Sequence, residues 1–239
     1  MADERDRGAI LAGQRAYYRA RAPEYDEWIE RRGRYDHGPD ANARWFAETD
    51  HVRDVLTRLD LRGDVLEMAS GTGHWTEVLA RTARSVLALD SSPETVTLAR
   101  GRLERAGTAE SVTFEIADLF AWVPGRTYDA VVFGFWVSHV PDDRLDAFVQ
   151  TVAAALRPGG VVFWVDSLRQ ESATAPDQPL PPDEEEVMTR RLNDGRTFEV
   201  IKRFRPGATY EAAFARHRVN VTVSETPTYF QYATGVRLA

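Results

Sequence analysis

Apolar positions along the 239-residue chain recur with two periods, and the change from one to the other divides the sequence. Residues 9–32 have few breakers and carry an aromatic set, Tyr17, Tyr18, Tyr25 and Trp28, with Pro23 placed to split the run into two helices. Residues 39–59 set Trp45, Phe46, Val52, Val55, Leu56 and Leu59 at helical spacing, and Asp60-Leu61-Arg62-Gly63 follows with Gly63 as the expected cap. From residue 64 short apolar runs alternate with amphipathic ones. The runs predict strands over 64–68, 85–89, 111–116, 128–135 and 161–165. Between them the pattern predicts helices over 74–83, over 93–106 (Pro93 in the first turn after Ser91-Ser92) and over 141–156. The last carries Leu145, Phe148, Val149, Val152 and Leu156 on one face and stops at Arg157-Pro158-Gly159-Gly160.

Five short apolar strands separated by helices imply a parallel sheet covered on both faces. Residues 170–186 change character: QESATAPDQPLPPDEEE is proline-rich and acidic, and reads as a loop. Residues 197–204 and 219–224 alternate as strands, with a helix over 208–216 between them and a last strand over 228–233. Strands in this position are expected to extend the sheet, in part antiparallel, within the same domain.

Composition narrows the classes. No apolar run approaches the roughly 20 residues that span a bilayer, and MADERDRGAI lacks the apolar core of a secretory signal. With no cysteine, disulfides and thiolate chemistry are excluded, and a cytoplasmic location is the expectation. The five histidines show no HExxH spacing, so no metal is expected. The net charge of −7 turns the expectation from nucleic acid and membrane toward a small-molecule partner. Arg190-Arg191 and Lys202-Arg203 with Arg205 form late basic clusters, read as solvated faces although an anionic group could use them.

The candidate chemistry lies beyond the carboxyl ends of the strands, where such sheets bind ligands. VLEMASGTGHWTEVLA, residues 65–80, is strand, glycine turn and helix. Gly71-Thr72-Gly73 allows a tight turn and close approach to main-chain amides. A dinucleotide fingerprint would place a third glycine where this chain has Thr76, which counts against a nicotinamide-dependent oxidoreductase. Glu67, before the turn, repels pyrophosphate and suits a cationic or donor-rich ligand. Asp90 ends the second strand, where a carboxylate can accept both hydroxyls of a ribose. Asp118, in Ile116-Ala117-Asp118-Leu119, can accept from an exocyclic amine.

VLEMASGTG, VLALDSS, IADLF, YDAVVFGFWVSHV and LRPGGVVFWVDS together resemble the successive motifs of class I S-adenosylmethionine-dependent methyltransferases, bacterial small-molecule type, over residues 64–167. The resemblance implies an α/β fold: a Rossmann-like, mostly parallel seven-stranded sheet with helices on both faces. It further implies an N-terminal helical lid over 1–62 and a core over 63–239 with an acceptor-site insertion at about 168–196. The cofactor would be S-adenosylmethionine, leaving S-adenosylhomocysteine. Carried over, Glu67 helps position its methionine part, and the backbone of Ala69, Ser70, Gly71, Thr72 and Gly73 lies against the methionine and sulfonium. Asp90 holds the ribose with Ser91 and Ser92 beside it, Asp118 and Leu119 hold adenine, and Phe135 and Trp136 line the methyl-transfer face. The chain departs at Ala69, where the family has glycine most often; alanine is expected to take a negative φ there. Tyr17, Tyr18 and Tyr25 match the N-terminal lid over the cofactor, although core packing explains them almost as well.

The expected reaction is in-line methyl transfer to O, N or C of a small acceptor, in which the protein orients the partners and excludes water. His139, after the fourth strand, is the candidate base, or a packing residue under the following helix. Tyr18, Trp136, His139, Trp164 and Asp166 are the expected acceptor-site residues, with residues 170–186 and 190–204 as the far wall. A protein that binds the cofactor without methylating is the alternative. The oligomer is expected to be a monomer or homodimer.

Overall fold

The structure is a computed structural model that describes residues 4–182 and 185–239; Asp183 and Glu184, in the acidic loop, lie outside the described residues. The N-terminal helices are α1 (Glu4–Arg21), α2 (Tyr25–Ile29) and α3 (Pro39–Arg58). Pro23 sits in the single 3-10 turn Ala22–Glu24 that parts α1 from α2, where a ring without an N–H cannot continue the helix. Trp45, Val52 and Leu56 of α3 are buried, while Phe46 is exposed. Gly63 does not cap α3. The turn is made by Asp60, at φ 49°. Gly63 instead lies where a Cβ would sit 2.1 Å from the Asp129 carboxylate, which accepts from the Asp64 N–H.

The core alternates β1 (Asp64–Met68), α4 (His74–Ala80), β2 (Ser85–Asp90), α5 (Pro93–Ala106), β3 (Val112–Ile116), β4 (Tyr128–Gly134), α6 (Leu145–Ala155) and β5 (Leu156–Ser167). Residues 142–144, expected to open α6, form a separate 3-10 turn. The chain closes with β6 (Val187–Arg191), β7 (Thr197–Ile201), α7 (Gly207–Arg216), β8 (Val219–Glu225) and β9 (Phe230–Arg237). Seven strands form one sheet in the order β3-β2-β1-β4-β5-β9-β8. The first five are parallel, while β9 runs antiparallel to both β5 and β8. The order reverses between β1 and β4, and the crevice beyond that point is where ligands are held in such sheets.

One expected strand has a different partner. Residues 197–201 do not extend the sheet but pair with β6 as an antiparallel hairpin. The strand also ends early. The Lys202 and Arg203 amides donate to Glu186 and Ser138 carbonyls, and the Lys202 side chain turns inward to Asp166. The hairpin packs Met188, Leu192 and Val200 around Tyr17 of α1, a small core of its own. Two larger cores cover the sheet. One joins α6 and α7 to one face; the other joins Trp28 and Trp45 to Val65, Val132 and Phe163 on the other. Among the described residues no helix is long and apolar enough to cross a membrane.

Candidate active site

Two cavities open at the carboxyl ends of the parallel strands. The first, about 720 Å³ counting the open space at its mouth, is lined by Ala69, Gly71, Asp90, Asp118 and Leu119 and roofed by α1 through Leu11, Gln14 and Arg15. The second, about 510 Å³, reaches His139, Arg21, Arg190 and Lys202 and takes residues from both 170–180 and 190–204. Tyr18, Tyr25 and Phe135 line both.

The first cavity is built from strand ends and turns. After β1 the chain turns through Ala69 at φ 57°, Gly71 at φ 54° and Gly73 at φ 85°. Ala69 therefore takes the left-handed conformation and not the negative φ expected of it. That costs an alanine about 1–2 kcal/mol relative to its ordinary regions, which explains why glycine suits the position. Asp90 accepts from the Gly71 amide at 2.8 Å, the Ser92 amide at 2.8 Å and the Thr95 hydroxyl at 3.1 Å. The acid at the end of β2 thus holds the glycine turn in place and still faces the cavity. Burial raises its pKa while these donors oppose the shift. Asp118 accepts from the Phe120 amide and pairs with Arg15 of α1 at 3.2 Å, so the roof is tied to the far rim.

Some expected residues sit elsewhere. Ser92 is wholly buried as the cap of α5, its hydroxyl accepting from the Thr95 amide at 3.1 Å, and lines neither cavity. The Thr72 hydroxyl points away from the cavity and donates to Asp26 at 2.6 Å. Asp26 also receives Arg102 at 2.6 Å and lies 3.1 Å from His74, and its carboxyl stays low, at about 2; burial works to raise it, and the His74 and Thr72 hydrogen bonds outweigh that. This cluster clamps α2 to the turn. Ser70 and Gly73 support the turn from behind; a Cβ on Gly73 would lie 3.0 Å from Ala99. Tyr17 is in the hairpin core and does not line the first cavity. Trp164 is fully buried between Phe133 and Tyr210, a core residue and not a cavity wall. Glu67 is buried with Oε2 lacking a hydrogen-bond partner, and burial pushes its pKa up to about 8. At neutral pH it is mainly a neutral acid rather than the carboxylate expected from its position.

In the second cavity the central group is His139. Its Nδ1 lies 2.5 Å from the Ile201 carbonyl, so Nδ1 carries the proton and Nε2 accepts. The Tyr18 hydroxyl donates to Nε2 at 2.7 Å. Burial, with Lys202 nearby, lowers the imidazole pKa from 6.5 to about 3, so the ring is neutral. Asp166 does not face the cavity. Fully buried, it accepts from the Ser138 amide (2.9 Å), the Ser138 hydroxyl (2.8 Å) and the Ser167 amide (2.7 Å), and pairs with Lys202 at 3.1 Å. Burial works to raise its pKa, but Lys202 and these donors hold it low. Trp136 belongs to the first cavity, tilted against Phe120.

The periodicity did not single out Gln14, Arg15, Arg21 or Thr95. Gln14 is buried in α1. Its Oε1 accepts from the Ile201 amide at 2.9 Å, and its Nε2 reaches the His139 carbonyl at 3.4 Å. A glutamine on the inner face of a helix rich in tyrosine was the only available sign. Lys202 is buried, not solvated as expected. Among the described residues no group of three or more histidines and acids is placed to hold a metal.

Residues 65–160 match the family model for a methyltransferase domain. A ubiquinone biosynthesis O-methyltransferase from Xanthomonas euvesicatoria pv. vesicatoria (strain 85-10) is 37% identical over 123 residues, 51% of this chain and 50% of that protein. The chain thus spans about half the length of the curated relatives it matches. Among solved structures, a DhpI-SAH complex is similar over 96% of this chain and 97% of that one, with 37% identity and a TM-score of 0.75. A DhpI-SAM-HEP complex is 38% identical over 95% and 97%, with a TM-score of 0.73. An S-adenosylmethionine-dependent methyltransferase from Mesorhizobium loti, 20% identical over 80% of this chain and 98% of that one, shares the fold at a TM-score of 0.59. With a glycine turn and two strand-end acids in one cavity, and a relative of this identity along nearly its whole length, the chain belongs to the class I S-adenosylmethionine-dependent methyltransferases.

Proposed function

We propose that the protein transfers the methyl group of S-adenosylmethionine to a small-molecule acceptor bound in the second cavity. The observation that carries this is the shared wall: Tyr18, Tyr25 and Phe135 line both cavities, so a donor in one and an acceptor in the other meet there. The residues of the first cavity fit the donor. Asp90 presents a carboxylate for the ribose hydroxyls, Asp118 and Leu119 stand where the base would lie, and Ala69 and Gly71 give a close backbone approach. When bound, the cofactor supplies a methyl group already activated on a sulfonium. What remains for the chain is to orient the acceptor and keep water out.

The described part of 1–62 serves as the lid, with α1 over the first cavity, and the insertion at about 168–196 brings Gln170, Thr174 and Arg190 to the acceptor site. Phe135 holds φ 55° with its amide donating to Val165 at 2.7 Å, which fixes its ring at the shared wall. His139 Nε2 accepts from Tyr18, one of the shared residues, and orients it. Where the acceptor has a proton to lose, it passes to the Tyr18 hydroxyl as that hydroxyl gives its own proton to His139 Nε2. Its low pKa means the free base persists to about pH 4, so the rate falls little between pH 8 and 5. The partner is a small molecule, not nucleic acid or membrane, and the site of action is the cytoplasm.

The test is calorimetry with S-adenosylmethionine followed by an acceptor panel read as release of S-adenosylhomocysteine. Binding with release on a small-molecule acceptor supports the reading. Tight binding without release on any acceptor overturns it in favour of a binder that does not methylate.

A further inference from the structure

The second cavity carries more positive charge than its own groups answer. Arg21, Arg190 and Lys202 line it, and among its described lining residues there is no aspartate or glutamate. Lys202 is answered from behind by Asp166. Among the described residues the two arginines form no ion pair, and Glu24 is an acid whose field reaches Arg21 without contact. Arg21 is 8% exposed; its Nη2 reaches only the Tyr35 hydroxyl, at 3.5 Å, and its Nε has no hydrogen-bond partner. Its guanidinium carbon lies 4.8 Å over the Tyr25 ring and 5.6 Å over the Tyr17 ring. Arg190 donates to the neutral oxygens of Thr174 and Gln178, at 2.5 Å and 2.7 Å.

Taking a guanidinium out of water is unfavourable unless an anion or a full set of acceptors replaces the hydration. Aromatic faces replace part of it. What stays unanswered is charge: two guanidinium groups on residues that line one cavity, of a type whose planar fork matches an oxyanion. Arg21 also lies over Tyr25, one of the three residues shared with the cofactor cavity, so the charge stands next to the transfer wall.

We propose that the acceptor is a small oxyanion, a carboxylate or a phosphorus or sulfur oxyacid, whose charged group seats on Arg21 and Arg190. This rests on the methyltransferase reading and deepens it by naming the acceptor class. The arginines are binding residues here, and Lys202 with Asp166 positions the floor beneath them.

The experiment is titration calorimetry on the full chain saturated with S-adenosylhomocysteine, using benzoate, its neutral isostere benzamide, and inorganic phosphate. Benzoate or phosphate should bind with a clear heat and benzamide should not. The stronger of the two anions tells a planar from a tetrahedral acceptor. Arg190→Gln, on the half-buried hairpin, should weaken the anion about tenfold, as loss of a charge-assisted contact does, and leave S-adenosylhomocysteine affinity unchanged. Arg21→Lys keeps the charge but loses the fork, and should weaken it less than Arg21→Gln. Failure of S-adenosylhomocysteine to bind would count against the methyltransferase reading itself. If it binds while neither anion does at millimolar concentration, or benzamide binds as well as benzoate, or Arg190→Gln changes nothing, the oxyanion assignment alone is overturned.

Discussion

The two cavities meet at three side chains but are made in opposite ways. The first has apolar and aromatic walls, and its polar groups are main chain and carboxylates with Arg15 at the roof: left-handed turns at Ala69 and Gly71, and Asp90 and Asp118 at the ends of β2 and β3. In the proposed function these acceptors meet the hydroxyls, amine and sulfonium of the methyl donor. The second is side chains and cations, gathered from α1, α2, residues 167–180, Arg190 of β6, and Lys202 and Phe204 just after β7. A donor site fixed by the sheet can keep its chemistry while the acceptor site changes with the segments laid over it. The sharpest tests alter one cavity and read the other.

The largest effect is expected under the acceptor cavity. Lys202→Met leaves Asp166 ionised and buried without its cation, and should cost about 3–5 kcal/mol of stability. Adding Asp166→Asn removes the stranded charge and should restore more than half of that in urea unfolding. If the double variant is no more stable than the single one, the pair is not what holds the floor.

Glu67, below the donor cavity, gives the next. Its folded pKa of about 8 lies above the unfolded value of 4.5, so the folded state binds the proton more tightly. Its stability contribution is complete below pH 4.5 and is lost as pH rises through 8. Glu67→Gln, which cannot ionise, should therefore gain on the natural chain by on the order of 2–4 kcal/mol at pH 9 and differ little at pH 5. Equal pH dependence of the two in thermal unfolding would show that Glu67 is not held neutral. His139 gives the opposite sign: with its pKa depressed from 6.5 to about 3, its contribution is present above 6.5 and lost as pH falls toward 3.

Asp90→Ala separates the cavities by binding. It removes the acceptor of the Gly71 and Ser92 amides as well as the ribose partner. S-adenosylhomocysteine should bind about 100-fold more weakly, as expected when hydrogen bonds to a charged group are lost. Binding within twofold of the natural chain would remove Asp90 from the donor site. An anion bound on Arg21 and Arg190 should be affected far less, since neither contacts Asp90.

How much of this the sequence disclosed follows the same division. β1, α5 and the positions of Asp90, Asp118 and Phe135 could be read because strand, turn and helix are local patterns, and sheet order places their ends together. The hairpin partner of residues 197–201 could not, because alternation says a strand exists but not which edge it joins. The basic clusters were misread for a related reason. Arg190 and Lys202 look solvated in sequence, and only the packing of β7 beneath α1 turns them inward. Trp164 and Asp166 erred in the other direction. Strand-end position alone does not say which face of the sheet a side chain takes, and both point into protein. Arg21 carried no signal beyond lying among tyrosines, Tyr17, Tyr18 and Tyr25, on neighbouring turns.

The smallest effect tests the departure at Ala69. At φ 57° the alanine Cβ is crowded by its own backbone, whereas glycine takes this conformation freely but has more freedom to lose on folding. The two terms oppose each other, strain of about 1–2 kcal/mol against an entropy difference of about 0.5–1 kcal/mol, so Ala69→Gly should stabilise by roughly 0.5–1 kcal/mol. Because Ala69 lines the donor cavity, removal of its methyl also tests whether that methyl touches the ligand. Unchanged S-adenosylhomocysteine affinity with a raised melting temperature would show that the turn serves through its main chain alone. A loss of affinity with the same gain in stability would show that this chain uses the methyl as a contact, and that the strained conformation is kept for it.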